Sequence, residues 1–290
     1  MRANRDRSAA LSFGQLVDHY DAGRIAHAPE FVGQTLARLG VSARGASDVA
    51  GTTGLAGTTG PRLEVGAGTG QLTAALLAGG AEVVAAEPSE PMADRLRQNL
   101  AGSVAAGLLS VRCQPFESLE PASFEPFSQI WSADAWHWVD PLLGYRLAAQ
   151  LLRLDGLLIC TWGYPMLTDH HLQRRLNQVY ARLAPDLVRE PDTHIASLEP
   201  LLAEGRAEIT GSGQMSVVDY WAQATDASMT AEQYADLQLS FANVANLPLG
   251  QQAELSAAIL SVLAAAREPR TSLTTWRYTV ASRPRDPARA

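Results

Sequence analysis

The chain has 290 residues, 47% of them hydrophobic and 18% charged, enough to bury a full core as one large domain with a cap rather than two independent domains. With 23 Lys and Arg against 30 Asp and Glu, the formal net charge of -7 argues against a nucleic-acid partner, because phosphate binding needs clustered cations. Its two cysteines, Cys113 and Cys160, lie in apolar strand-like stretches and read as reduced, buried thiols without a disulfide frame; no metal site is expected.

Met1 to Ala10 is Arg-rich but lacks the apolar core of a secretory signal, and no later run is apolar enough to span a bilayer, so a cytoplasmic location is the default expectation. Phe13 to Arg24 reads as a helix with Leu16, Tyr20 and Arg24 on one side, and Pro29 to Leu39 as a second, amphipathic helix. We assign 1–45 to N-terminal lid helices. The next stretch repeats Ala-Gly-Thr-Thr-Gly at Ala50 to Gly54 and Ala56 to Gly60, so 46–60 reads as a flexible linker.

From Pro61 apolar strands alternate with Ala/Leu-rich helices, the pattern of a parallel, doubly wound sheet. Strands are predicted at Arg62 to Val65, Glu82 to Ala86, Leu108 to Cys113, Gln129 to Ala133 and Gly156 to Trp162. Helices are predicted at Gln71 to Ala78, Pro91 to Leu100 and Gly144 to Leu152. The first strand runs into Glu64-Val65-Gly66-Ala67-Gly68-Thr69-Gly70, a glycine turn that brings backbone close to a ligand at a helix start. A dinucleotide fingerprint would read G-x-G-x-x-G; here the pattern is G-x-G-x-G preceded by an acid. Glu64 repels a pyrophosphate and attracts an ammonium, and Glu87, ending the second strand before Pro88, can accept hydrogen bonds from both hydroxyls of a ribose. After Trp162 helices are expected at Leu172 to Leu183 and Ile195 to Ala203, then a strand over Arg206 to Val218. Helices at Thr230 to Leu239 and Gln251 to Ala266 follow, and Thr271 to Ser282 alternates like an edge strand returning to the sheet.

Together the glycine turn and Glu87 resemble the S-adenosylmethionine site of class I methyltransferases. Ala135-Trp136-His137-Trp138-Val139-Asp140-Pro141 is similar to the HW-D motif of small-molecule methyltransferases related to the trans-aconitate type, and Tyr20-Asp21 with Arg24, Phe116-Glu117 and Leu273 to Arg277 agree. The chain departs from that pattern at Phe127-Ser128, where Phe-Asp is usual, at Leu154-Asp155-Gly156, where Pro-Gly-Gly is usual, and mildly at Glu64, often Asp. The resemblance implies an α/β, Rossmann-like class I methyltransferase fold with a doubly wound, mostly parallel sheet, a helical cap and N-terminal lid helices. The implied layout is a cofactor-binding core over 61–165, a substrate cap over 166–205 and 220–270, and strands over 206–219 and 271–285 completing the sheet.

It further implies S-adenosyl-L-methionine as cofactor and S-adenosyl-L-homocysteine as product. Glu64 is assigned to the amino-acid portion, Gly66, Ala67, Gly68 and Gly70 to the backbone cradle, Glu87 and Pro88 to the ribose, and Phe116 with Gln114 to the adenine; Ser132 joins the same set. Phe116 reads equally as core. His137 is the first catalytic candidate, either as base or as the residue positioning its loop; Tyr20 is a second, either catalytic or the apolar side of a lid, and Asp18 or Asp21 would orient the pair. Tyr20, Arg24, Trp136, His137, Trp162 and Trp221 are candidates for the acceptor pocket, large aromatics at strand ends also reading as core or wall. His170 and His171 are adjacent on a cap helix and share no face, so they read as solvated rather than as ligands. The expected activity is methylation of a small molecule at carbon, nitrogen or oxygen, with an indole- or phenol-like acceptor of specialised metabolism. The alternatives are a carboxylate acceptor clamped by Arg24, a protein acceptor, or a non-catalytic cofactor-binding regulator of a partner protein.

Overall fold

The computed structural model describes residues 13–41, 60–189, 199–266 and 270–285. The basic N-terminal run and nearly all of the predicted linker lie outside these residues. A 3-10 turn at Phe13–Leu16 leads into α1 (Val17–Gly23), followed by α2 (Pro29–Arg38). The core then runs β1 (Arg62–Val65), α3 (Gln71–Ala78), β2 (Val83–Ala86), α4 (Glu90–Asn99), α5 (Ala101–Ala105), β3 (Leu109–Arg112), β4 (Phe127–Ala133), α6 (Pro141–Leu151) and β5 (Leu152–Leu167). After it come α7 (His170–Leu183), α8 (Glu199–Gly211), β6 (Met215–Met229), α9 (Ala231–Leu239), α10 (Ala242–Ala245), α11 (Leu249–Ala265) and β7 (Thr271–Pro284).

One sheet takes all seven strands in the order β3-β2-β1-β4-β5-β7-β6. The first five are parallel, as their near-continuous burial requires: every residue of β1 is buried, and β4 is buried from Phe127 through Ser132. Polar side chains inside it are satisfied locally, Ser132 Oγ donating to the Val65 carbonyl at 3.1 Å and Trp131 Nε1 to Gln129 Oε1 at 2.8 Å. One apolar layer, with Phe31, Leu36, Leu72, Leu96 and Trp131, packs α2, α3 and α4 on one face; Phe116, Trp136, Tyr145 and Leu151 fill the other beneath α6.

β7 runs antiparallel between β5 and β6. The sequence places it at the edge, but Arg277 through Ser282 is buried at every position, which only an interior strand allows; the edge is β6. The predicted strand over Arg206 to Val218 also divides. Arg206 to Gly211 ends α8, with Ile209 as its buried position, and β6 begins at Met215 after Gly213 at φ +70. The short alternation in Ala207-Glu208-Ile209-Thr210 fits either period. β6 then extends to Met229, so the segment expected to open the cap at 220 is strand for its first ten residues. Cys160 is buried as expected, but Cys113 falls one residue beyond β3 and is exposed.

β5 and β7 continue past the core and carry a third cluster, built from Leu172, Leu176 and Tyr180 of α7 with Leu237, Leu255 and Ile259. The α7 start is fixed by Asp169, whose carboxylate accepts from the N–H groups of His171 and Leu172 at 2.8 and 3.0 Å; both His170 and His171 are exposed. α1 crosses this cap against α9. A Cβ on Gly23 would fall 2.2 Å from the Leu237 nitrogen, so the crossing requires glycine.

Asp140 caps α6 in the same way, accepting from Leu142 and Leu143 N–H at 2.8 and 3.3 Å, with Pro141 at the first helical position. The aspartate of the HW-D stretch is thus a helix cap. Asp140→Ala is expected to lower unfolding free energy by about 1 kcal/mol in urea titrations while leaving the affinity for S-adenosylhomocysteine within twofold; a full loss of ligand affinity at unchanged stability would contradict that assignment.

Candidate active site

The loops after β1, β2 and β4 open together at the carboxyl end of the sheet, where a parallel arrangement puts its ligands. They enclose a cleft of about 170 Å³ walled by Gly66, Gly68, Glu87, Pro88, Phe116 and Ala135, with Tyr20 and Arg24 closing it from the lid. Gly66 sits at φ +69 and a Cβ there would meet the Ala135 Cβ at 2.3 Å; Gly68 sits at φ +58. The Glu87 carboxylate spans the turn, accepting from Gly68 N–H and Ser89 N–H, both at 2.9 Å. Burial raises its pKa and those two donors oppose the rise.

A smaller recess adjoins the cleft between Tyr20, Arg24, Glu64, Ala67 and Asp134. Glu64 is buried at its base and accepts from Thr73 Oγ1 at 2.6 Å. Burial, helped by the Glu87 charge and opposed by Thr73, pushes its pKa to about 8. Two carboxyl groups therefore floor the site, unsuited to phosphates but matched to a ligand with an ammonium at one end and ribose hydroxyls beyond it. Phe116 is buried against Trp136 and borders the cleft, joining its core and ligand-facing readings.

A second cavity of about 520 Å³ opens beside the first. Arg24, Asp134 and Trp138 line both, and Trp162, Tyr164, Phe241, Leu187 and Arg189 extend the second toward the cap. Asp134, which sequence reasoning missed, is the one non-glycine residue at positive φ (53°) among those described. Its Oδ1 accepts from Gly163 N–H at 2.7 Å and its own N–H donates to the Thr161 carbonyl at 2.8 Å. The available signal was an aspartate directly after a buried strand, one of the few side chains that tolerates that conformation.

Other candidates fall elsewhere. Asp18 is exposed and pairs with Arg95, which also holds Asp21 at 3.0 Å; the pairing anchors α1 to α4 outside the cleft. Gly70, at φ +103, faces Leu96 and Leu100 where α3 begins. Gln114 donates to the Ser118 carbonyl at 3.2 Å, and Ser132 ties β4 to β1; neither lines a cavity. Trp136 is buried against Phe116 and Tyr145, facing away from the second cavity. Trp221 is in the core layer with Phe31 and Leu36, under the Arg38 guanidinium at 4.8 Å, because β6 turns it toward α2. His137 and Trp162 do line the second cavity, where Trp162 Nε1 donates to His137 Nδ1 at 3.3 Å. Among the described residues no group of three His, Cys, Asp or Glu could hold a metal ion.

A sheet of this order with a glycine turn and acidic floor at its carboxyl end has the Rossmann-like architecture of class I methyltransferases. Residues 63–160 match the family model described as a methyltransferase domain. Uncharacterized methyltransferases of Mycobacterium tuberculosis and Mycobacterium bovis are each 34% identical over 157 residues, 54% of this chain and 54% of theirs. The chain thus matches about half the length of these curated relatives. A putative type II methyltransferase from Anaeromyxobacter dehalogenans shares the fold, with a TM-score of 0.57, 15% identity, and coverage of 90% of this chain and 97% of that one.

The raised Glu64 pKa has a measurable consequence. Below about pH 8 the free protein carries a proton there, and if the ligand's ammonium meets Glu64 it favours the carboxylate, so that binding would release that proton. The dissociation constant of S-adenosylhomocysteine should fall by up to about tenfold per pH unit between pH 6 and 8 and then level. Calorimetry in buffers of different ionisation enthalpy should register the proton, and Glu64→Gln should flatten the profile; a flat wild-type profile would remove Glu64 from the ammonium site.

Proposed function

We propose that the chain transfers the methyl group of S-adenosylmethionine to a small molecule with an aromatic body, held in the cavity beside the cofactor cleft. The observation that carries this is the shared wall of Arg24, Asp134 and Trp138, which lets a ligand in the second cavity reach one in the first. Trp138, Trp162, Tyr164 and Phe241 offer flat apolar surfaces suited to a ring. When bound, the cofactor supplies an electrophilic methyl on a sulfonium. Glu87 accepts from the ribose hydroxyls, Phe116 borders the adenine, Glu64 meets the ammonium, and Arg24 is placed to take the carboxylate.

Catalysis by such a site rests chiefly on alignment and exclusion of water. Tyr20 serves both: its ring lies against Gly68, where a Cβ would come within 3.1 Å of the phenol oxygen, and Arg24 stacks on it at 4.9 Å. Burial raises its pKa, so the phenol keeps its proton and acts as a donor that orients an acceptor. The Trp162 hydrogen bond puts the neutral His137 proton on Nε2, which supports a positioning role over a base. An acceptor atom that is nucleophilic without prior deprotonation suits this arrangement.

Incubation with radiolabelled S-adenosylmethionine and a panel of indoles, phenols and aromatic carboxylates should place label in a small molecule. Label in protein, or cofactor binding without transfer to any acceptor in cell extract, would overturn the reading in favour of a protein acceptor or a regulator. On the acceptor so found, His137→Asn should keep turnover within about threefold and leave the pH profile unmoved. Loss of the order of a hundredfold would restore the base role.

A further inference from the structure

Two guanidinium groups stack on Phe241 at the second cavity. Arg24 lies 5.0 Å and Arg189 5.5 Å from the ring centre of Phe241, both lining the cavity. Among the described residues neither has a carboxylate within ion-pair distance. Arg24 donates to the Ser240 carbonyl at 3.0 Å, while its Nε is buried without a partner. Of the acids on the cavity, Asp134 is engaged by Gly163 and Asp186 is exposed. Like charges gathered without a counter-ion favour the arrival of an anion.

Arg189 is also held in place. Asn177 brackets its backbone, Nδ2 donating to the Arg189 carbonyl at 2.6 Å and Oδ1 accepting its N–H at 3.2 Å, and Gln173 Nε2 donates to the same Oδ1 at 2.9 Å. This amide pair on α7 fixes the chain just past the helix, so the guanidinium starts from a set position. Arg24 also borders the cofactor cleft, whereas Arg189 borders the acceptor cavity and not the cleft.

We propose that the acceptor carries an anionic group, a carboxylate or a phosphate, which Arg189 binds away from the cofactor cleft while the aromatic walls hold the body and another atom faces the methyl. This rests on reading the second cavity as the acceptor site. The anion is then a handle that is not itself methylated, and the planar fork of Arg189 suits either oxyanion.

Trp138 and Trp162 line the cavity, so tryptophan fluorescence of the whole chain, saturated with S-adenosylhomocysteine, reads occupancy. Phenylacetate, phenyl phosphate and the neutral phenylacetamide serve as probes. At least one anion should bind about tenfold more tightly than the amide, and the tighter of the two identifies the oxyanion. Arg189→Gln should abolish that preference with cofactor affinity unchanged, and Arg189→Lys, which keeps the charge and stem, should retain part of it. Equal binding of amide and anions by the wild type, or a preference that survives in both variants, would overturn the proposal. Calorimetry of S-adenosylhomocysteine tests the transferase reading separately: if the cofactor fails to bind while an Arg189-dependent preference persists, that reading falls and the anion site stands.

Discussion

The hydrogen bond from Gly163 N–H to Asp134 fixes the point at which the two strand ends that the site depends on part from each other. β4 and β5 pair in register up to Ala133 and Thr161, and beyond that point the chains diverge. Asp134 turns at positive φ, sending Ala135 against Gly66 and the Trp-His-Trp turn toward the cap, while β5 continues beside β7. Without that divergence the ends would close on each other, leaving no common wall between cleft and cavity. The unfavourable backbone conformation is local; the separation it creates spans both cavities.

The two cavities differ in charge. The first cavity and the recess beside it have buried carboxyl groups on their floor, whereas the second has guanidinium groups stacked on Phe241. Arg24 lies on the wall that the two share. Tyr20 lines the first cavity and the recess, and burial favours its protonated form, so its hydroxyl adds no charge there.

The parts legible in the sequence are those whose function is local. Glu64, Gly66, Gly68 and Glu87 sit within single strand-to-turn transitions, and their chemistry follows from neighbours in the chain. The reading weakened where a partner distant in sequence decides the outcome. Trp221 is aromatic at a strand position, but which face it takes depends on α2 packing beneath it. Asp18 sits two residues from Tyr20, yet Arg95 turns it outward. The β7 position was obscured because its first half, Thr271 to Trp276, alternates in burial like an edge strand although β6 flanks it along its whole length. Arg189 gave no signal of its own; its significance arises from Asn177 on one side and Phe241 on the other.

Gly23 joins the lid to the cap at backbone distance, and the neighbouring His19–Asp236 pair at 2.7 Å holds the same two helices. Helix α1, which carries Tyr20 over the glycine turn, is therefore packed at Gly23 directly on the α9 backbone. Helix α9 in turn leads into Phe241, on the wall of the second cavity. The covers of the two cavities thus belong to one packed helix pair, so a substitution that loosens the Gly23 crossing disturbs both.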